Sequence, residues 1–455
     1  MSQQASMEWW RPDVVVEPGE RAARPAMTES DAQDSSVPFW AMMLFTFILL
    51  FAPQNYVPAL APFRIALLTA VLAITAYLID RLRRGLPIMK RTPEMWTAVC
   101  LAGWATLTIP FSYWPGGSLS LLFGNYFRTL TIFWLLIHTV TTLARFRLVA
   151  WGLSLMAMGL GMTAMDNYLS GAVLVQGENP PRILGTESSL KNPNDMALML
   201  NLILPLSVAL VLSNRTPLAR TVLLAAILLE ATAVILTYSR AGFLTLATTV
   251  TLYLWKLRNR SERVWVLAAL VIALACTPFL PSGYFDRLST ITDVKADHTG
   301  SAQERVRYIL AAVAHIFENP IVGAGLGMNI AALNEERGAT WRAVHNVYLE
   351  YTVDLGLPGL ALFLLLFAGC IRNTTFVQQR CGGMPASREL FCLAEGLQIS
   401  LIAFAVAAPF YPAAYHFYFY YMAGLAVAVR SVYEQEAERD ARASIRSATR
   451  EMDHA

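Results

Sequence analysis

The stretch HNVYLEYTVDLGLPG, His345 to Gly359, opens with an imidazole beside an amide and carries two carboxylates, Glu350 and Asp354, before turning wholly apolar. Histidine is the side chain whose ordinary pKa lies nearest neutrality, so a neutral imidazole here could take a proton from a hydroxyl. On a helix, His345, Tyr348 and Thr352 share one face, while Asn346 and Glu350 pair on the next. The blander reading of a histidine at a helix start is a cap or an interface residue. Glu350 and Asp354 read as interfacial carboxylates facing water, and Gly356 with Gly359 as small residues allowing a close helix–helix approach.

A second group of reactive side chains is cationic. Arg240 lies in TYSRAGF, Arg305 and Arg307 open the segment ERVRYILAAVAHIFENP, and Arg182 and Lys191 fall in GAVLVQGENPPRILGTESSLKNPND. Each of these could simply snorkel to lipid phosphates at an interface. A guanidinium fork also matches phosphate geometry and stays charged at any relevant pH, so several together would suit a diphosphate at a membrane surface. Other chemistries fit less well: the chain has no Walker loop, HExxH, GxSxG or EF-hand pattern. The Asn and Asp of KNPND could hold a cation, but no second carboxylate cluster supports them, so the expected chemistry needs no metal and no cofactor.

The elements that must position these groups are membrane helices. The chain has 455 residues, of which 56% are hydrophobic and 15% charged, and the apolar residues come in long blocks such as FWAMMLFTFILLF and GLALFLLLFAGCI. Runs of roughly twenty such residues match a bilayer core, and they lack the polar face a soluble helix shows every 3.6 residues. The fold class is therefore all-α and polytopic, with about twelve spans centred near residues 46, 70, 103, 134, 158, 204, 229, 249, 272, 364, 399 and 422. The net charge of +3 suggests no nucleic-acid partner. Cys100, Cys276, Cys370, Cys381 and Cys392 are scattered without a CxxC and read as packing residues rather than disulfides or metal ligands.

Orientation follows from the lysines and arginines. The connections 80–91, 144–147, 213–220, 256–263 and 372–388 are basic and fall on alternate sides of successive spans, so they share one face, expected to be cytoplasmic. Residues 1–36, without an apparent signal peptide, and 431–455 read as polar cytoplasmic tails around a transmembrane domain, 37–430. Two longer segments, about 170–195 and 281–345, fall on the outer face. The second contains an amphipathic helix followed by the glycine loop IVGAGLGMN, and the two would roof a site between helices.

These motifs resemble the O-antigen ligase and polymerase superfamily (Wzy_C), the WaaL/Wzy-type membrane glycosyltransferases. The opening stretch fits the ligase signature H-[NSQ]-x9-G-x-x-[GTY] at His345, Asn346, Gly356 and Gly359. ERVRYILAAVAHIFENPIVGAGLG resembles the superfamily's arginine, helix and Asn-Pro-leading glycine loop. TYSRAG is similar to its Ser-Arg-small turn, and NPND to its Asn-Pro-Asn element. The resemblance covers roughly residues 190–360.

The resemblance implies a GT-C-type architecture in the bacterial inner membrane with its site facing the periplasm. It implies transfer of a glycan from undecaprenyl diphosphate to a sugar hydroxyl of lipid A–core oligosaccharide, with inversion and without metal. By position, His345 would be the base, and Arg240 and Arg305 would hold the diphosphate. Asn346, Tyr348 and Asn194 would line the substrate site, with Arg307, Arg182 and Lys191 added on charge and face. A polymerase or protein O-oligosaccharyltransferase on the same carrier is the alternative. A transporter is the remaining reading, with Glu230 and Glu395 as its main mid-span ionisable groups.

Overall fold

Threonine or asparagine followed by proline starts three of the helices, at 92–93, 192–193 and 216–217, because proline at the first helical position loses no hydrogen bond. The computed structural model describes residues 35–53, 57–171, 192–275, 284–285, 301–334 and 343–453. Its helices are α1 (Ser36–Phe51), α2 (Ile65–Arg84), α3 (Pro93–Leu107) and α4 (Pro115–Leu121), which passes through a π-helical turn, Leu122–Tyr126, into α5 (Phe127–Thr139). Then follow α6 (Leu143–Ser170), α7 (Pro193–Ser213), α8 (Pro217–Leu236), α9 (Arg240–Leu257) and α10 (Arg263–Ala275). The last third holds α11 (Ser301–Glu318), α12 (Asn329–Asn334), α13 (Val347–Cys381), α14 (Arg388–Ala407) and α15 (Phe417–Asp453).

Each expected span centre falls inside one of these helices. Among the described residues, seven segments are long and apolar enough to cross a bilayer, those of α2, α4–α5, α6, α7, α8, α13 and α14. The protein is thus an all-α polytopic membrane protein. In α7 and α14, 78% of the apolar window is buried inside the protein, against 22% in α2 and 28% in α8. The first pair therefore forms the centre of the bundle and the second pair its lipid-facing wall. α14 lies against α7 at backbone distance: Ser400 Oγ donates to the Leu202 carbonyl (2.7 Å), and Gly396 sits where a Cβ would meet the Pro205 carbonyl oxygen.

Contacts along the helices fix their directions. Ser400 meets Leu202 and Arg388 meets Leu212, so α14 runs antiparallel to α7. Tyr348 of α13 donates to the Ala405 carbonyl of α14 (3.0 Å), placing the start of α13 at the end of α14. Asn201 of α7 donates to the Gly242 carbonyl of α9 (3.0 Å), so those two helices start together. Asn125 Nδ2 reaches the Tyr415 carbonyl (3.3 Å), which brings the start of α5 beside the start of α15. The N-termini of α7, α9, α13 and α15 thus share one end of the bundle.

The opposite end collects the basic connections. Lys90 N donates to His138 Nε2 (2.9 Å), Arg147 pairs with Glu389, Arg388 with Glu262 (2.6 Å), and Arg260 with Glu395 (2.9 Å). All five basic connections expected to share a face do so. The amphipathic helix expected in the second long segment is α11. Val306, Leu310, Val313 and Phe317, spaced four, three and four residues apart, form its exposed apolar stripe.

Candidate active site at the starts of α7, α9 and α13

α13 is broken near its start. Gly356 adopts φ 68°, ψ −175°, a conformation all but closed to side-chain-bearing residues, and Pro358 lacks the N–H that would have bonded to the Asp354 carbonyl. The carbonyls released by this break are captured from outside the helix. Ala324 N–H donates to Val353 O (2.7 Å), Gly325 N–H to Asp354 O (2.8 Å) and Trp104 Nε1 to Leu355 O (2.8 Å). In return, Leu357 N–H donates to Pro320 O (2.8 Å). A backbone this close leaves no room at Gly356, where a Cβ would run into the Ile321 carbonyl oxygen. Gly356 was expected to bring helices together; what it does is latch the glycine loop, residues 320–328, onto α13.

The carboxylates of α13 are where the sequence reading needs correction. Asp354 is fully buried and Glu350 is 7% exposed; neither faces water. Asp354 Oδ1 accepts the Asn329 N–H (2.6 Å), and both of its oxygens accept from Asn329 Nδ2 (3.2 and 3.1 Å). Asn329 Oδ1 in turn accepts the Val344 N–H (3.2 Å), so Asp354 reaches the residue before His345 through one asparagine. Glu350 Oε2 accepts the Ala414 N–H (3.0 Å), and Tyr351 Oη donates to the Ala414 carbonyl (2.6 Å), pinning the 411–416 connection against α13. A polar group removed from water is retained only where such donors meet it. These groups hold the two connections that flank the start of α13.

His345 is half-buried, and its Nδ1 lies 2.9 Å from the Ala343 carbonyl oxygen. A carbonyl only accepts, so the bond requires the proton on Nδ1, and the neutral ring then carries its lone pair on Nε2. Asn346 caps α13, its Oδ1 accepting from Tyr348 N (3.0 Å) and Leu349 N (3.2 Å). The Tyr348 hydroxyl is committed to the Ala405 carbonyl.

Arg240 is the first residue of α9 and is half-buried. Tyr238, at φ 49°, turns the chain out of α8, and Ser239 caps α9 by accepting the Gly242 N–H (3.1 Å). Tyr238 packs beside Tyr284, ring centroids 5.5 Å apart. Burial pushes the Tyr238 phenol up, and that of Tyr284 up to about 12, so both remain protonated hydroxyls at neutral pH. Asn194, half-buried in the first turn of α7, donates its backbone N–H to the Asn192 cap (2.9 Å). Arg307 is exposed on α11. Arg305 belongs to the same helix, but its side chain lies outside the described residues, as do Arg182 and Lys191 altogether.

The structure therefore brings the starts of α7, α9 and α13, with Asn194, Arg240 and His345, to one end of the bundle. Sequence reasoning missed Asn329 and Asp354 as the support beneath His345. The available signal was the spacing of 346, 350 and 354, one polar face inside an otherwise apolar span. Glu230 and Glu395 do not line a shared path. Glu230 is fully buried with Oε1 accepting from Ser207 Oγ (2.9 Å), whereas Glu395 is paired with Arg260 at the basic end.

Fold and site together define a multi-pass helical membrane protein whose candidate reactive groups sit at one end and whose basic connections sit at the other. Residues 223–364 match the family model Wzy_C, described as O-antigen ligase, so this part of the chain is similar to the O-antigen ligase and polymerase superfamily. No curated protein matches the chain. The matched stretch runs from α8 past the break in α13 and contains Arg240, Arg305, Arg307, His345, Asn346 and Tyr348; Arg182, Lys191 and Asn194 precede it. The match supports an enzyme of O-antigen ligase or polymerase type, acting in polysaccharide assembly on lipid-linked glycan.

Proposed function

We propose that the protein transfers a glycan from undecaprenyl diphosphate to a sugar hydroxyl of lipid A–core oligosaccharide, at the periplasmic face of the inner membrane and with both termini in the cytoplasm. The observation that carries this reading is His345: within the matched domain, its Nδ1–H bond to the Ala343 carbonyl leaves Nε2 as the proton acceptor. The acceptor hydroxyl gives its proton to Nε2 while its oxygen attacks the anomeric carbon. The bond from that carbon to the diphosphate oxygen breaks on the opposite face, which inverts the configuration. The departing diphosphate takes the electron pair, and Arg240, together with Arg305 on motif grounds, stabilises the charge. Asn346, Tyr348, Arg307, Arg182, Lys191 and Asn194 are proposed to line the substrate path. The positive-inside rule places the basic connections in the cytoplasm and His345 outside.

Reconstitution with an undecaprenyl diphosphate glycan and lipid A–core tests the reading. Wild-type protein should extend lipid A–core, and His345→Ala should leave the glycan on its carrier. Extension of carrier-linked glycan instead would assign a polymerase, and transfer to a protein hydroxyl an O-oligosaccharyltransferase. Full ligation by His345→Ala would remove the base.

A further inference from the structure

At the basic end, three of the connections converge on one cleft of about 510 Å³, between the ends of α7, α9 and α13 and the start of α14. Its guanidiniums come from three separate segments: Arg215 after α7, Arg260 after α9 and Arg388 at the start of α14. Leu257, Met384 and Phe391 supply apolar lining beneath them. Charge preference for one membrane face accounts for basic loops but not for their meeting around a cavity.

The cations of the cleft are unequally committed. Arg260 is held by a two-point pair with Glu395 (2.9 and 3.0 Å). Arg388 spends Nη2 on Glu262 (2.6 Å) and on the Leu212 carbonyl (3.2 Å), leaving Nε and Nη1 without an acceptor among the described residues. Arg215 is exposed and makes no hydrogen bond or ion pair among the described residues. The carboxylates present thus balance two of the three arginines. The cleft also lies at bilayer-surface level: Trp255, two residues before the end of α9, is 58% exposed with Arg258 over its ring at 5.1 Å.

We infer that this cleft binds the phosphate headgroup of an anionic phospholipid of the adjacent leaflet, held between Arg215 and the free edge of Arg388, with the glycerol region against Met384 and Phe391. A basic notch between helix ends with an apolar floor fits an amphiphile whose phosphate lies at the membrane surface. Two guanidinium forks on one phosphate add charge-assisted bonds that a zwitterionic headgroup, carrying its own ammonium, partly cancels. The site is remote from the proposed chemistry, because it lies at the opposite ends of α7, α9 and α13, and so it does not depend on that assignment.

The test compares wild-type protein, Arg215→Gln and Arg83→Gln in detergent micelles, titrated with phosphatidylglycerol, with phosphatidylcholine, or with inorganic phosphate alone. Lipid retention is read by native mass spectrometry and the thermal midpoint by tryptophan fluorescence. Arg215 makes no contact whose loss would unfold the chain, and Arg83, an exposed residue of the same face outside the cleft, controls for general charge. Phosphatidylglycerol should be retained and should raise the midpoint. Arg215→Gln should weaken that effect about tenfold, with Arg83→Gln unchanged. Equal retention of both lipids, wild-type behaviour of Arg215→Gln, or an equal loss in Arg83→Gln would overturn the proposal. A midpoint shift from inorganic phosphate as large as that from phosphatidylglycerol would also overturn it, assigning a free-anion site.

Discussion

Replacing Gly356 with alanine should unlatch the glycine loop from α13. At φ 68°, ψ −175°, an alanine is strained by about 1–3 kcal/mol, and its Cβ meets a backbone carbonyl that no rotamer change can move. Relief requires the loop to lift, which breaks the bonds from Leu357 to Pro320, Ala324 to Val353 and Gly325 to Asp354, each contributing about 0.5–1.5 kcal/mol net. The combined local cost is about 3–7 kcal/mol. Amide hydrogen exchange by mass spectrometry on the micellar protein reads this directly. A loss of about 3 kcal/mol raises exchange on the order of a hundredfold at the Ala324 and Gly325 amides. Gly103→Ala, on an exposed face of α3 with open space around it, should leave the same amides untouched. Wild-type protection of Ala324 and Gly325 in a folded Gly356→Ala protein would refute the latch.

Four further outcomes follow from the same contacts. Arg240→Lys keeps the charge and loses the fork, so ligation turnover should fall about a hundredfold; wild-type turnover would reduce Arg240 to an interfacial anchor. Asn329→Ala strips the two side-chain hydrogen bonds from buried Asp354, leaving the backbone one, and removes the acceptor from Val344 N–H, costing about 2–3 kcal/mol locally, seen as faster exchange across 343–346; unchanged exchange there would sever Asp354 from His345. Glu230→Gln keeps a partner for Ser207 while removing a buried carboxyl, so the thermal midpoint should hold or rise and turnover stay unchanged; loss of turnover would give Glu230 a functional role. The Glu262 carboxyl is held below the usual range chiefly by its own backbone N–H and then by Arg388, against burial. Its contribution is therefore present above the unfolded-state value of about 4.3 and lost as pH falls through the lower folded-state value. The midpoint difference between wild type and Glu262→Gln should hold from pH 7 to about pH 5 and shrink as pH falls below about 4, and a constant difference through that acid range would contradict it.

The carboxylates of α13 show how a polar residue in an apolar span is to be read. Asp354 and Glu350 could have faced water, a substrate or protein, and each choice suggests a different chemistry. What they face is the N–H groups of two connections, at Asn329 and Ala414. Their role is positional: one fixes the residue before His345 and the other the start of α15.

Several features were legible in the residues alone. Apolar runs the length of a bilayer core determine membrane helices whatever their neighbours, because no polar face remains to be solvated. Spacing within ERVRYILAAVAHIFENP gave α11, because helical periodicity is a property of a few consecutive residues. The His345 motif was visible for the same reason. The tertiary structure alone decided where Asp354 points, why Gly356 must be glycine, and which basic loops meet around one cleft. Those answers depend on partners far away in the chain: Trp104 and Pro320 at the break, Asn329 beneath His345, and Arg388 against Leu212. Local sequence fixes which backbone groups a segment leaves unpaired; only the packed bundle fixes which distant groups meet them.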